Sequence, residues 1–360
     1  MVDDTAMMRR ALFHAERALG ATAPNPLVGA VVVDADGVVV GQGHHARAGE
    51  AHAEVVALDA AGASARGGTL YVTLEPCCHT GRTGPCTDRI LAAGVAKVVV
   101  ATIDPFPAVA GRGVALLRAA GLDVVVGFEE AAARRMNAAY HIVHDRGRPL
   151  VVVKAATSRD SRIAACPGRP TAISGAASAR RTQRLRAEAD AIAVGVGTAL
   201  ADDPRLTVRD VVRARPLTRV VFDHQLRTPP TARLFARADG GEVIMFADPA
   251  IVRDDGARVA AVTAAGGRVM GAASVDEAAR LLAGLGVHTL LVEGGAILHR
   301  AFWDAGLVDR LRLIVAPRTL GDGGVRLFDG MRIPWSRLSA VSARTCGDDI
   351  WLEADVHWDR

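Results

Sequence analysis

Two short segments, His52-Ala53-Glu54 and Pro76-Cys77 with Cys86 further on, hold the side chains best able to do chemistry. One imidazole and two thiolates supply three ligands to a tetrahedral Zn²⁺ and leave the fourth position to water, as a catalytic zinc requires. Glu54, two residues from His52, can point past the metal, take a proton from the water and hand it to a leaving amine. Cys78 or His79 could instead supply a fourth protein ligand and close the site as a structural one, but a structural site does not need Glu54. The chain has five cysteines, three of them in residues 77–86, and no secretory signal, which favours metal or catalysis over disulfides.

A second candidate centre lies further along. Lys154 ends a hydrophobic strand in a chain whose only other lysine is Lys97, so a functional cation is expected there, with a snorkelling strand-end lysine as the plain alternative. Gly195-Val196-Gly197-Thr198 follows another strand, where bare backbone could approach a pyrophosphate; without a third glycine a simple tight turn serves equally well.

The elements that must position these groups alternate. Val28–Asp34 and Val38–Gly41 read as a hairpin across Asp36-Gly37. His52–Ala61, Thr87–Ala93 and Val114–Ala120 read as helices, and Thr69–Leu74, Lys97–Thr102 and Val124–Val126 as strands. A single helix is expected over 129–148, ending in the polar run Asp145-Arg-Gly-Arg-Pro149, a natural linker. The pattern then restarts with strands at 150–155, 191–194, 219–223, 243–246, 289–292, 310–315 and 350–356. Helices are expected around 178–188, 250–265, 275–285 and 296–305. Two α/β domains result, 1–146 and 147–360.

Composition agrees with an ordinary globular protein. Half of the 360 residues are hydrophobic and 4% are aromatic, and 43 basic against 39 acidic residues leave a net charge of +4. No basic stripe interleaved with aromatics appears, so a nucleic-acid partner is not expected. The first helix-like stretch, Met7–Leu19, holds Arg9, Arg10, His14, Glu16 and Arg17, so neither a signal peptide nor a membrane span is expected, and the protein is placed in the cytoplasm.

The His-x-Glu and Pro-Cys pattern is that of zinc deaminases, except that eight residues, Cys78–Pro85, separate the outer cysteines where nucleoside deaminases usually have two. With Pro24-Asn-Pro-Leu-Val-Gly29, His45-x-Arg-Ala-Gly-Glu50, Thr73-Leu-Glu-Pro-Cys77, Asp104-Pro-x-Pro-x-Val-Ala-Gly-Arg-Gly113, Gly195-Val-Gly-Thr198, Asp203-Pro-Arg-Leu-Thr-Val-Arg209, Val292-Glu-Gly-Gly295 and Gly306-Leu-Val-Asp309, the chain resembles the bifunctional deaminase/reductase family of riboflavin biosynthesis over nearly its whole length. The loop length itself is a feature of that family rather than of cytidine or tRNA deaminases.

The resemblance implies a cytidine-deaminase-like three-layer domain followed by a dihydrofolate-reductase-like α/β domain. It implies zinc-dependent deamination of 2,5-diamino-6-ribosylamino-4(3H)-pyrimidinone 5′-phosphate, then NADPH-dependent reduction of the ribosyl to a ribityl chain, with a homo-oligomer expected and no membrane partner. Glu54 would be catalytic, His52, Cys77 and Cys86 the ligands, and Asn25, His45, His79 and Arg82 substrate contacts. In the reductase half, Lys154, Asp160, Ser174, Arg186, Gly195, Thr198, Asp203, Leu206, Arg209 and Glu293 would line the substrate and cofactor site, with Arg186 and Arg209 on the substrate phosphate.

The chain also departs from the family pattern. Arg82 stands where many members carry Lys, Cys78 where Ser is common, and Phe106 where Asn is frequent. In the reductase half, Arg159, Ser161, Arg169 and Ala172 replace an apolar residue, a glycine, an acid and a tryptophan. Arg159 is expected to put charge where an apolar side chain packs. Two other readings follow: a deaminase whose second domain has lost or changed its reductase chemistry, and a non-enzymatic protein with a structural zinc and a binding or assembly domain.

Overall fold

A computed structural model describes residues 3–80, 84–236 and 241–358. The chain divides into two compact units, Met1–Arg146 and Gly147–Arg360.

The first unit contains α1 (Asp4–Glu16), β1 (Gly29–Val33), β2 (Val39–His44), α2 (Ala53–Ala61), β3 (Thr69–Val72), α3 (Cys86–Ala93), β4 (Lys97–Val100), α4 (Arg112–Ala119), β5 (Asp123–Val126), α5 (Glu130–Met136) and α6 (Ala138–Arg146). Its sheet runs β2-β1-β3-β4-β5, antiparallel around β1 and parallel from β3 to β5. Successive strand residues serve opposite faces. Val32, Leu70 and Val98 pack with Ala57 and Leu58 of α2, Ile90 of α3 and Leu117 of α4, while Val31, Tyr71 and Val99 pack with Met8 and Leu12 of α1 and Ala133 of α5. Three layers result. α1 lies so close to β1 that a Cβ on Gly29 would come within 2.0 Å of the Ala11 carbonyl oxygen.

The helix expected over 129–148 is two helices. Asn137 separates them, and its buried amide is held at both ends: Oδ1 accepts from Leu27 N and Nδ2 donates to Leu27 O, each at 2.8 Å. The expected linker is likewise partly interior. Arg148 is 1% exposed and pairs through both terminal nitrogens with Asp309, which also accepts from Val151 N.

The second unit contains β6 (Leu150–Ser158), β7 (Arg162–Ala164), α7 (Ala176–Glu188), β8 (Ala191–Gly195), α8 (Val196–Asp202), β9 (Thr218–Phe222), β10 (Val243–Ala247), α9 (Pro249–Asp254), α10 (Gly256–Ala264), β11 (Gly267–Gly271), α11 (Val275–Gly284), β12 (Thr289–Gly294), α12 (Ala296–Asp304), β13 (Val308–Ala316), β14 (Val325–Arg326), β15 (Leu338–Cys346) and β16 (Asp349–Val356). Nine strands form one sheet, β11-β10-β9-β8-β12-β6-β13-β16-β15, parallel from β11 to β13 and antiparallel at β16 and β15. Parallel strands covered on both faces read as continuous apolar runs, which is why β6 and β12 were legible. The helix expected at 250–265 is divided at Asp255, whose side chain caps the second half by accepting from Arg258 N. Among the described residues no helix is long and apolar enough to cross a membrane.

Candidate functional site

In the first unit the sheet and two helix starts bring three soft donors together. His52 is the N-cap residue of α2, Cys77 follows β3, and Cys86 is the first residue of α3. His52 Nδ1 lies 3.1 Å from Cys86 Sγ and 3.5 Å from Cys77 Sγ, and all three donor atoms lie within 4.8 Å of one another. A hydrogen bond from Cys86, with a second from His52, holds the Cys77 thiol well below its ordinary range, and the same bond to Cys77 pushes Cys86 up. One imidazole and two sulfurs at this spacing fit a tetrahedral Zn²⁺ with one position left over. Cys78 and His79 are not part of the cluster.

Glu54, in the first turn of α2, is 3% exposed, and burial raises its carboxyl above the ordinary carboxylate range. Asn25 Nδ2 and His45 Nε2 are 3.0 Å apart, and His45 Nδ1 lies 3.1 Å from the Ala51 carbonyl oxygen. A ring nitrogen facing a carbonyl carries the proton, so Nε2 is the acceptor for Asn25. The His45 ring stands edge-on to His52 with centroids 5.4 Å apart. His79 is exposed, and Arg82 lies outside the described residues.

Glu75 shapes the site in a way its motif does not reveal. It is buried and gathers three backbone donors, Asp104 N at 3.2 Å and Gly111 N at 2.8 Å on Oε2, and Val114 N at 3.0 Å on Oε1. It thereby ties the β4–α4 connection to the strand end beside Cys77. Gly113 completes the fit, since a Cβ there would come within 2.1 Å of the Pro76 carbonyl oxygen.

In the second unit Lys154 of β6 and Glu293 of β12 are register neighbours, one residue beyond the pair Val153 and Val292 on adjacent parallel strands. Arg186 of α7 grips Glu293 with Nε to Oε1 at 2.7 Å and Nη2 to Oε2 at 2.8 Å, and its Nη1 donates to the Thr207 carbonyl at 3.0 Å. Burial opposes the Glu293 charge, but Arg186 and then Lys154 outweigh it and hold the carboxyl at about 2. Burial lowers the Lys154 ammonium against the pull of Glu293. Arg186 is therefore engaged inside the protein, whereas Arg209, expected beside it on a phosphate, is exposed. Bare backbone converges nearby: Gly195 ends β8, and Cβ atoms on Gly294 and Gly295 would stand 3.5 and 3.2 Å from the Thr198 hydroxyl. His299 of α12 was not singled out in the sequence. It is 1% exposed, burial pushes it down to about 4, and Lys154 and Glu293 act on its charge.

The other expected residues sit differently. Asp160 Oδ1 accepts from Ser158 Oγ at 2.6 Å and Leu320 N at 3.1 Å, and Oδ2 accepts from Gly321 N at 2.8 Å, so it fastens the 318–321 loop. Asp203 closes α8 at φ 38° and accepts from Arg233 N at 2.8 Å, and Leu206 is buried at φ 53°. Ser174 stands two residues ahead of α7 and is half-buried. Arg159, Arg169 and Ala172 are exposed, so Arg159 does not bury its charge in an apolar position.

Residues 1–102 match the model of the cytidine and deoxycytidylate deaminase zinc-binding region, and residues 149–352 that of the RibD C-terminal domain. The riboflavin biosynthesis protein RibD of Aquifex aeolicus is 38% identical over 89% of this chain and 88% of its own, and that of Escherichia coli K12 is 38% identical over 89% of each. Among solved structures, RibD of Acinetobacter baumannii superposes with a TM-score of 0.88 at 33% identity, covering 99% of both chains. A Thermotoga maritima diaminohydroxyphosphoribosylaminopyrimidine deaminase/5-amino-6-(5-phosphoribosylamino)uracil reductase superposes at 0.87 with 30% identity, over 98% of this chain and 99% of its own. A deaminase-like zinc region and a RibD reductase-like domain thus stand in one chain, which belongs to the RibD family of riboflavin biosynthesis proteins.

Proposed function

We propose that the first unit deaminates 2,5-diamino-6-ribosylamino-4(3H)-pyrimidinone 5′-phosphate and that the second reduces the ribosyl of the product to ribityl with NADPH. The observation that carries the reading is the open set of three ligands, His52, Cys77 and Cys86, beside a buried Glu54. Zn²⁺ held there supplies the Lewis acidity that makes water a nucleophile at neutral pH. Glu54, its proton affinity raised by burial, takes the proton from the attacking water and returns it to the amine as the C–N bond breaks. Asn25 and His45, locked to each other, present fixed polar groups to the pyrimidine, and the exposed His79 is a further substrate contact.

In the second unit NADPH supplies the hydride. Gly195, Gly294 and Gly295 beside Thr198 offer backbone without side chains and one hydroxyl to the cofactor. Lys154, made more acidic by burial, donates a proton to the sugar ring oxygen as the ring opens. Glu293, pinned by Arg186, orients Lys154 and accepts from the sugar hydroxyls. Asp160 and Arg186 act as positioning groups.

A coupled assay on the purified zinc protein tests both halves. Ammonia release from the diaminopyrimidinone phosphate is expected first, and stoichiometric NADPH oxidation after it. Ammonia without NADPH oxidation would leave a deaminase alone; neither signal in the zinc-loaded protein would sink the reading.

A further inference from the structure

The connection after β4 meets the loop that carries the Cys77 ligand. Glu75 holds Asp104 N and Gly111 N, and the Cys78 thiol lies 3.9 Å from the Ala108 carbonyl oxygen. On this connection Phe106 stands between two imidazoles. Its ring is 5.8 Å from that of His79, tilted 54°, and 5.5 Å from that of His144 of α6, tilted 60°. His144 packs edge-on against Tyr140 at 4.5 Å. The Tyr140 hydroxyl donates to Asp104 Oδ1 at 3.0 Å, and the same oxygen accepts from Phe106 N at 2.8 Å. The series His79, Phe106, His144, Tyr140, Asp104 therefore closes on the backbone of Phe106.

Only one member of this series is exposed, and it is His79. A lone surface imidazole would sample several rotamers, and ordering it when a ligand arrives costs conformational entropy. A ring already braced through Tyr140 and Asp104 removes that freedom beforehand, with the geometry aromatic pairs favour. We infer that Phe106 is a positioning residue of the deaminase site, an aromatic stop that holds the His79 imidazole beside the Cys77 ligand so that it meets the phosphorylated pyrimidine already ordered. The inference rests on the deaminase reading and adds a device in which an apolar ring, touching no reacting atom, tunes substrate binding through its neighbour.

The test uses the full chain with Zn²⁺ bound. Aromatic pairs of this kind shift an equilibrium about 2- to 10-fold, so Phe106→Ala is expected to raise KM for deamination by that factor with kcat and zinc content unchanged. Phe106→Tyr, which keeps the ring, is expected to restore the parent KM. His79→Ala is expected to raise KM at least as much, and Phe106→Ala added to it to change nothing further, because a residue acting only through its neighbour has no effect once that neighbour is gone. Effects that multiply in the double variant, or an unchanged KM in Phe106→Ala, overturn the assignment. Phe106→Leu keeps most of the volume without the ring and is read in the same way should the alanine variant not fold. A second readout needs no turnover: the His79 ring-proton signal, assigned by its loss in His79→Ala, is expected to move in Phe106→Leu as the ring current disappears. An unmoved signal refutes the contact. Silence in the ammonia assay with a moving His79 signal would count against the deaminase reading, not against the contact.

Discussion

The two candidate centres solve opposite electrostatic problems. In the first unit the polar atoms face one another with coordination capacity to spare: His52 Nδ1 and two sulfurs within 4.8 Å, with the buried Glu54 in the first turn of α2. In the second unit the carboxylate is already engaged, Arg186 occupying both oxygens of Glu293 while Lys154 lies beside them on the neighbouring strand. A metal site must keep its donors unsaturated until the ion arrives, since the ion's charge is what holds them together. A site for hydride transfer to a sugar needs fixed charges that do not reorganise during the reaction, so internal pairing serves it.

The contrast is broken most severely at the ligands. Cys86→Ser or Cys77→Ser is expected to lose bound zinc and all measurable deamination while leaving NADPH oxidation with preformed deaminated substrate intact. Full zinc occupancy by metal analysis in both variants would place the site elsewhere. Next comes Glu54→Gln, expected to keep zinc but slow deamination by about 10²- to 10⁴-fold, as for loss of a general acid/base; a variant with the parent rate shows that Glu54 moves no proton.

In the second unit the large effect should fall on stability. Glu293→Gln leaves Arg186 and Lys154 buried without their counter-charge, and a cost of about 3–5 kcal/mol in denaturant unfolding of that unit is expected. Its pH dependence follows from the folded-state value of about 2 against an ordinary 4.5. The carboxylate's contribution is fully present above about 4.5 and is lost as pH falls through about 2, so the gap between parent and variant should be full at pH 7 and close over that window. A gap that stays constant down to pH 2 would mean the charge is not what is missing. The smallest effect is expected at Arg159. Its side chain is exposed, so Arg159→Ala should change unfolding free energy by less than about 0.5 kcal/mol and leave NADPH affinity as it was. A marked loss of affinity for NADPH but not NADH, by titration, would instead show Arg159 reaching the cofactor's 2′-phosphate.

Which parts were readable follows from how far apart the partners lie in the chain. His52, Glu54, Cys77 and Cys86 declare a zinc centre because donor type and short loops nearly suffice, and the alternation of apolar runs located most of both sheets. β15 escaped because it is a mostly exposed edge strand of small and polar residues that becomes a strand only by pairing with β16. The break at Asn137 depends on Leu27, more than a hundred residues away.

Charged side chains show the limit best. An arginine in a sequence advertises a cation but not its counter-ion, so the internal partners of Arg186 and of Arg148 in the expected linker are not legible there. The fold gives the first Glu293 and the second Asp309. Glu75 and Asp160 likewise show a carboxylate in the sequence and nothing of the backbone N–H groups that saturate them. Residue type and local spacing determine what a side chain can bind. Which partner comes within 3 Å is decided by strand order and crossover connections, because hydrogen bonds and ion pairs act only at contact distance.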